Sequence, residues 1–457
     1  MSIEVESDGM ELLAKTRHDR DNLQLGKAAT PYAIEVNVVL KDGVDSNNAV
    51  VVKHRLRHSL TISVLQNTTN ITKEYSYINV VEMQTFEKIP TLDLSWTNQD
   101  DTRREPLLAQ LRHALVDVGF LYIVNHGVPD NIISDMTAVL PILFSLTDVE
   151  KEQIALHNSP HFLGYSAPGA ETTAGKADQR EQVEFATELP SDWAEGKPIY
   201  ERLRGPNQWP ASLPTLKPIV QAYIDALTSL SERFLGLVAE ALYLQVGGED
   251  GTNPLQPFLS DQHRLKLVRY PAASAGADGE VASQGVGPHK DSSGWWTFLL
   301  QASPPHIKGL QALNREGVWI DVPVVAGSFV VNIGQAFEVV TGGLCPATTH
   351  RVLAGPYERF SVPFFQGVRR SLTKEEALGT LKNQLLCSFP GHFGGRNGPD
   401  DGSLSKEANE GKQIDSAFLR GQYDTWGESQ LRTKIRSHRD VGKKYYSDVF
   451  HKYAHDN

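Results

Sequence analysis

GVGPHKDSS, residues 285–293, places an imidazole and a carboxylate two positions apart, His289 and Asp291, in a stretch that reads as a strand or a strand end. On a strand, alternate side chains point to one face, so this pair can address a single ion. A second His-x-Asp pair, His438 and Asp440, lies in a charged, helix-like tail, where residues i and i+2 do not face each other. Only the first pair is followed by a β-rich segment with a third donor. His350, in THRVL (349–353), comes after the strand-like SFVVNIG (328–334). Two His and one Asp on one side of a metal leave three positions open, enough for dioxygen and a bidentate ligand; zinc would favour a tetrahedral site with one open position.

Around these residues the chain runs in short β-prone segments separated by Gly, Pro and Asn: RLKLVRY (264–270), WWTFLLQ (295–301), GLQALN (309–314), VWIDVP (318–323) and RFSVPFF (359–365). Many short strands in succession predict a sandwich, barrel or jelly roll. In the last segment Arg359 and Ser361 share a face, and an Arg set among apolar residues suits a planar anion held bidentately, with a hydroxyl adding a third hydrogen bond. The simpler reading is a rim ion pair with a neighbour such as Glu358. Likewise a lone His in a β core is more often structural than a ligand, as expected for His126, His306 and His392. Trp295 and Trp296 could line a pocket or fill the core.

Upstream, IPTLDLS (89–95) and FLYIVNHGVP (120–129) read as strands, with an amphipathic helix over 102–118 between them, capped by Asp100, Asp101 or Thr102 and ended by Gly119. A longer helix is expected over 213–244, with one broad apolar face and Pro218 in its first turn. Residues 1–88 read as an extension of unassigned role, with β-prone runs at Val50–Val52 and Leu60–Leu65. Residues 89–254 read as an N-terminal α/β region whose long helix packs on the core, 255–370 as a jelly-roll catalytic core, and 371–457 as a helical and loop region in which GHFGGRNGPDDGS (391–403) is a surface loop.

The bulk numbers narrow the partners. A chain of 457 residues, 40% hydrophobic and 22% charged, has ample core, and a net charge of −11 offers no basic field for nucleic acid or anionic lipid, so a small-molecule partner is expected. Cys345 and Cys387 are too few for a disulfide framework. The acidic N-terminus does not resemble a signal peptide, and no apolar run is long enough to span a membrane, so a cytoplasmic location is expected and the sequons at Asn67 and Asn70 are read as chance. Oligomeric state is not legible.

Taken together, His-x-Asp, the distal His and Arg-x-Ser resemble the iron(II)- and 2-oxoglutarate-dependent dioxygenases of the isopenicillin N synthase-like family. The resemblance extends from Ile89 to Val368. It implies an α+β fold with a double-stranded β-helix (jelly-roll) core flanked by helices, Fe(II) held by His289, Asp291 and His350, and 2-oxoglutarate held at its distal carboxylate by Arg359, Ser361 and Tyr270. With dioxygen, decarboxylation of 2-oxoglutarate to succinate would be coupled to hydroxylation, desaturation or cyclisation of a small organic substrate. Val268 stands where the family commonly has Asn, two residues before Tyr270, and Gln335 where it often has Asp. The first departure leaves room for an iron oxidase that dispenses with 2-oxoglutarate, as isopenicillin N synthase does; a non-catalytic iron- or ligand-binding protein is the reading from another class.

Overall fold

The computed structural model describes residues 85–454 apart from 99, 174, 246–250, 274–283 and 394–413, together with four two-residue strands in the first fifteen residues. Two compact units divide at Val81/Glu82. In the first, Ser2–Ile3 pairs with Ala14–Lys15 and Glu6–Ser7 with Met10–Glu11. The runs expected at 50–52 and 60–65, the two sequons and most of the 391–403 loop lie outside the described residues. Regions 89–254, 255–370 and 371–457 are parts of the second unit rather than separable domains, and packing there begins before Ile89, since Phe86 is already buried in one of its cores.

In chain order the strands that build this unit are β1 (Thr91–Asp93), β2 (Phe120–Val124), β3 (Gly164–Ser166), β4 (Glu181–Ala186), β5 (Arg264–Tyr270), β6 (Gln284–His289), β7 (Trp296–Gln301), β8 (Leu310–Leu313), β9 (Trp319–Asp321), β10 (Ser328–Ile333), β11 (His350–Leu353) and β12 (Arg359–Phe365). They form an eight-stranded sheet, ordered β1-β2-β10-β7-β12-β5-β4-β3, and a four-stranded sheet, ordered β6-β11-β8-β9. Every pairing is antiparallel except β1 with β2. Two sheets with non-consecutive neighbours are the jelly roll.

The two-residue period of the strands sorts the core into two layers. Leu265 and Leu267, Trp296, Phe298 and Leu300, and Val362 and Phe364 belong to the larger cluster, which also contains the long helix, while Leu431, Ile435, Val441, Phe450 and Tyr453 of the C-terminal helices form a separate cluster with Phe162. Alternate residues of the same strands, Val268 and Tyr270, join Val286, Leu310 and Val352 in a smaller cluster that also draws on the four-stranded sheet. The long helix, Leu216–Ala241, closes the larger layer with Val220, Tyr223, Ile224, Leu227, Leu230, Phe234 and Val238 at three- and four-residue spacing. Phe234 meets Trp296 and Phe298 edge-on, at centroid distances of 5.2 and 5.6 Å. Trp295 and Trp296 are therefore both core residues, fully buried. No described helix is long and apolar enough to cross a membrane.

The helix expected over 102–118 is an α-helix over Arg104–His113 that widens into one π turn, Ala114–Val118. Asp101, one of the three caps expected, fills that role: its Oδ1 accepts the Arg103 N–H at 2.8 Å and its carbonyl the Arg104 N–H at 2.9 Å, while Arg103 itself makes no side-chain cap bond. Gly119 ends it at φ +72°, where a Cβ would come within 2.3 Å of Thr348 Oγ1 and 2.4 Å of Pro346 O. Glycine is needed on both counts, left-handed backbone and close approach. Thr348 Oγ1 donates to Val118 O at 2.6 Å, which ties the end of this helix to the segment leading into His350.

Candidate active site

His289 ends β6 and His350 begins β11, and the two are partners in the ladder between those strands. Asp291 follows β6 by two residues. The structure brings all three together: one ligand atom from each lies within 4.8 Å of the others, with Asp291 Oδ1 3.6 Å from His289 Nε2 and 3.7 Å from His350 Nε2.

The remaining polar atoms of the triad are already engaged. His289 Nδ1–H donates to Gly287 O at 2.8 Å and His350 Nδ1–H to Thr348 O at 3.1 Å, which fixes both tautomers with the Nε2 lone pair free. Asp291 Oδ2 accepts from Thr297 Oγ1 at 2.6 Å and Asn332 Nδ2 at 2.7 Å, so Oδ1 is left for an ion. The Gln335 backbone N–H donates to Asp291 O at 2.8 Å, a bond independent of side-chain identity, while its side-chain amide donates to Asp415 O at 2.8 Å and so does not reach the triad. Burial, with the adjacent His350, pushes the His289 pKa down, keeping that imidazole neutral. Burial alone would raise the Asp291 carboxyl, but His350, His289 and the two hydrogen bonds hold it below its ordinary value. Two imidazoles and one carboxylate with free, convergent lone pairs fit a divalent iron.

The triad lies in a cleft of about 170 Å³ between the two sheets, open to solvent on one side. Arg359, Ser361, Val268 and Tyr270 line it as well. They are opposed in pairs across β5 and β12, Tyr270 against Arg359 and Val268 against Ser361. Arg359 is 3% exposed, its guanidinium stands 5.1 Å from the Tyr270 ring centroid, and Nη2 donates to Gln301 Oε1 at 3.1 Å. Nη1 is buried without a hydrogen-bond partner among the described residues. An unspent buried guanidinium donor is costly unless something supplies an acceptor, and a carboxylate does. The rim ion pair weighed from sequence is absent for Arg359 among the described residues; Glu358 instead pairs with Arg269. Val268 is 1% exposed and contributes only a methyl-lined wall.

Sequence reasoning passed over Thr297, Asn332 and Gln301, which brace Asp291 and Arg359, and two cations of the cleft, Arg180 and Lys266. Asn332 sits in SFVVNIG, and a lone polar residue in an apolar strand was the signal available. His438, set aside as a ligand, is buried against Glu171, 3.2 Å from its carboxylate.

A jelly roll with a two-His, one-carboxylate site and a buried Arg across the cleft defines the class as a non-haem iron oxygenase. Comparison with known proteins agrees. Residues 89–212 match the N-terminal model described as non-haem dioxygenase in morphine synthesis, and residues 262–368 match the 2OG-Fe(II) oxygenase superfamily. The chain is 40% identical over 369 residues to the 2-oxoglutarate-dependent dioxygenase frbJ of Dothideomycetidae sp. (strain 11243), covering 79% of this chain and 92% of that protein. It is 30% identical over 291 residues to homoarginine-6-hydroxylase 2-ODD-C23 of Glycine max, covering 61% and 85%. A full-length Neurospora crassa protein, solved in complex with alpha-KG, shares the fold at a TM-score of 0.51 and 22% identity, over 62% of this chain and 86% of that one. The chain belongs to the iron(II)- and 2-oxoglutarate-dependent dioxygenases, enzymes that use Fe(II), 2-oxoglutarate and dioxygen.

Proposed function

We propose that His289, Asp291 and His350 are the iron ligands, that Arg359, Ser361 and Tyr270 hold the distal carboxylate of 2-oxoglutarate, and that the substrate oxidised beside them is a small organic molecule. The observation that carries the assignment is the division of labour at Asp291: Oδ2 is held by Thr297 and Asn332, while Oδ1 faces both Nε2 atoms. When bound, the iron supplies oxygen activation at the expense of 2-oxoglutarate. The protein supplies position. The carbonyls of Gly287 and Thr348 orient the imidazoles, and Gln301 with the Tyr270 ring steadies Arg359 so that its free Nη1 points to a carboxylate. Leu299, Leu310, Val286 and Val352 keep the intervening cleft apolar and limit water.

A small substrate is supported by the size of the cleft, about 170 Å³, and by relatives named for hydroxylating homoarginine. The test is stoichiometry: one succinate forms per substrate oxidised. Sustained substrate oxidation without 2-oxoglutarate would favour the oxidase alternative, and binding of iron and 2-oxoglutarate with no succinate formed under oxygen would favour a non-catalytic binder.

A further inference from the structure

Among the described residues, one wall of the cleft carries more positive charge than its own acids absorb. Lys266, on β5, lines the cleft together with the triad. Its ammonium lies 3.8 Å from Glu184 Oε2, beyond hydrogen-bonding length. Stronger partners hold Glu184, with Arg264 at 2.6 Å and Lys434 at 2.6 and 2.8 Å. Arg180, the residue before β4, also faces the cleft. Its Nη2 reaches Glu171 at 2.6 Å and Asp178 at 3.3 Å, but its buried Nε has no partner. Four cations, Arg180, Arg264, Lys266 and Lys434, thus share three carboxylates, Glu171, Asp178 and Glu184. His438 adds to the demand on Glu171 when protonated. Burial, with the charges of Arg264 and Lys266, pushes Lys434 down to about 8, as crowding of cations requires.

The position of Lys266 separates it from the cosubstrate's anchor. Tyr270, opposite Arg359, is four residues further along β5, about 13 Å at strand rise. Arg264 pairs with Phe365, which also pairs with Thr297, the residue bonded to Asp291. Lys266 is therefore one pleat from the metal row and two from the Arg359 row, so the two cations serve different anions. Resting on the dioxygenase assignment above, we infer that Lys266, backed by Arg180, binds a carboxylate of the substrate and so fixes which carbon faces the iron.

The experiment uses the full chain loaded with iron(II) and 2-oxoglutarate without oxygen, titrated calorimetrically with matched carboxylic acids and their carboxamides, amino acids included. The wild type is expected to prefer one or more acids over their amides by about tenfold or more. Lys266→Met should erase that preference, and Lys266→Arg should restore most of it. The inference is overturned if no acid is preferred, if Lys266→Met keeps the preference, or if Lys266→Met weakens 2-oxoglutarate as much as Arg359→Met does, which would make Lys266 part of the cosubstrate site. Binding of iron and 2-oxoglutarate and succinate release without substrate are measured separately in the wild type, so failure of the dioxygenase assignment is read independently.

Discussion

The two walls of the cleft are built to opposite rules. At the metal edge, every triad atom not facing the ion has a protein partner: Gly287, Thr348, Thr297 and Asn332 take them up. Across the cleft, Arg359 Nη1 and Arg180 Nε are buried without a hydrogen-bond partner among the described residues, and Lys266 stands 3.8 Å from Glu184. The first wall is complete before any ligand arrives, which fixes the geometry an ion will meet. The second leaves buried donors unspent, which is what the proposed binding of organic anions there would satisfy.

The sharpest way to break this contrast is at its centre. Asp291→Ala should abolish iron binding and succinate release while leaving the fold intact, as read by metal content and circular dichroism; retained turnover would remove Asp291 from the ligand set. Arg359→Met attacks the other wall, and should raise the 2-oxoglutarate requirement on the order of 10²-fold, corresponding to about 3 kcal/mol for a buried charged pair, with iron affinity little changed. Asn332→Ala tests the supporting partners of the complete wall: iron affinity should fall ~10–100-fold, measured by chelator competition, with 2-oxoglutarate affinity affected less at saturating iron. If Asn332→Ala and Arg359→Met had the same profile, the two walls would not be functionally distinct.

The smallest effect concerns the scaffold behind them. His263, beside β5, is buried, accepts the Gly367 N–H at Nδ1 (3.0 Å) and has its pKa pushed down to about 4 by burial. Unfolded, it titrates near 6.5, so the unfolded chain binds the extra proton between those values and stability falls as pH drops from 6.5 to 4. Between pH 7 and 5 this group should cost about 2 kcal/mol, seen as a lower urea midpoint. His263→Gln should flatten that part of the acid limb; an unchanged slope would assign it to other groups.

Much of the site was legible because metal ligation constrains residue type and strand spacing. His289 and Asp291 had to share a face, His350 had to follow in a neighbouring strand, and Arg359 and Ser361 had to alternate. The fold was legible for a related reason: many short β-prone runs in succession, separated by Gly, Pro and Asn, are the imprint of a sandwich, barrel or jelly roll. Local detail was less so. The cap at Asp101 could be read from sequence, but the π turn that ends the first helix could not, since it is set by packing and by Gly119 against Thr348.

What the sequence determined by itself was the class, read from the His-x-Asp pair, the distal His, Arg-x-Ser and the succession of short strands, each set by short-range chemistry. Tertiary structure decided the rest. Thr297 and Asn332 meet on Asp291 only through the register of β7 and β10, and Lys434, from a helix 250 residues beyond Glu184, leaves Lys266 short of an acceptor only once that helix docks. Hydrogen bonds and charge balance between distant strands depend on register and docking, and neither can be read from the spacing of residues along the chain.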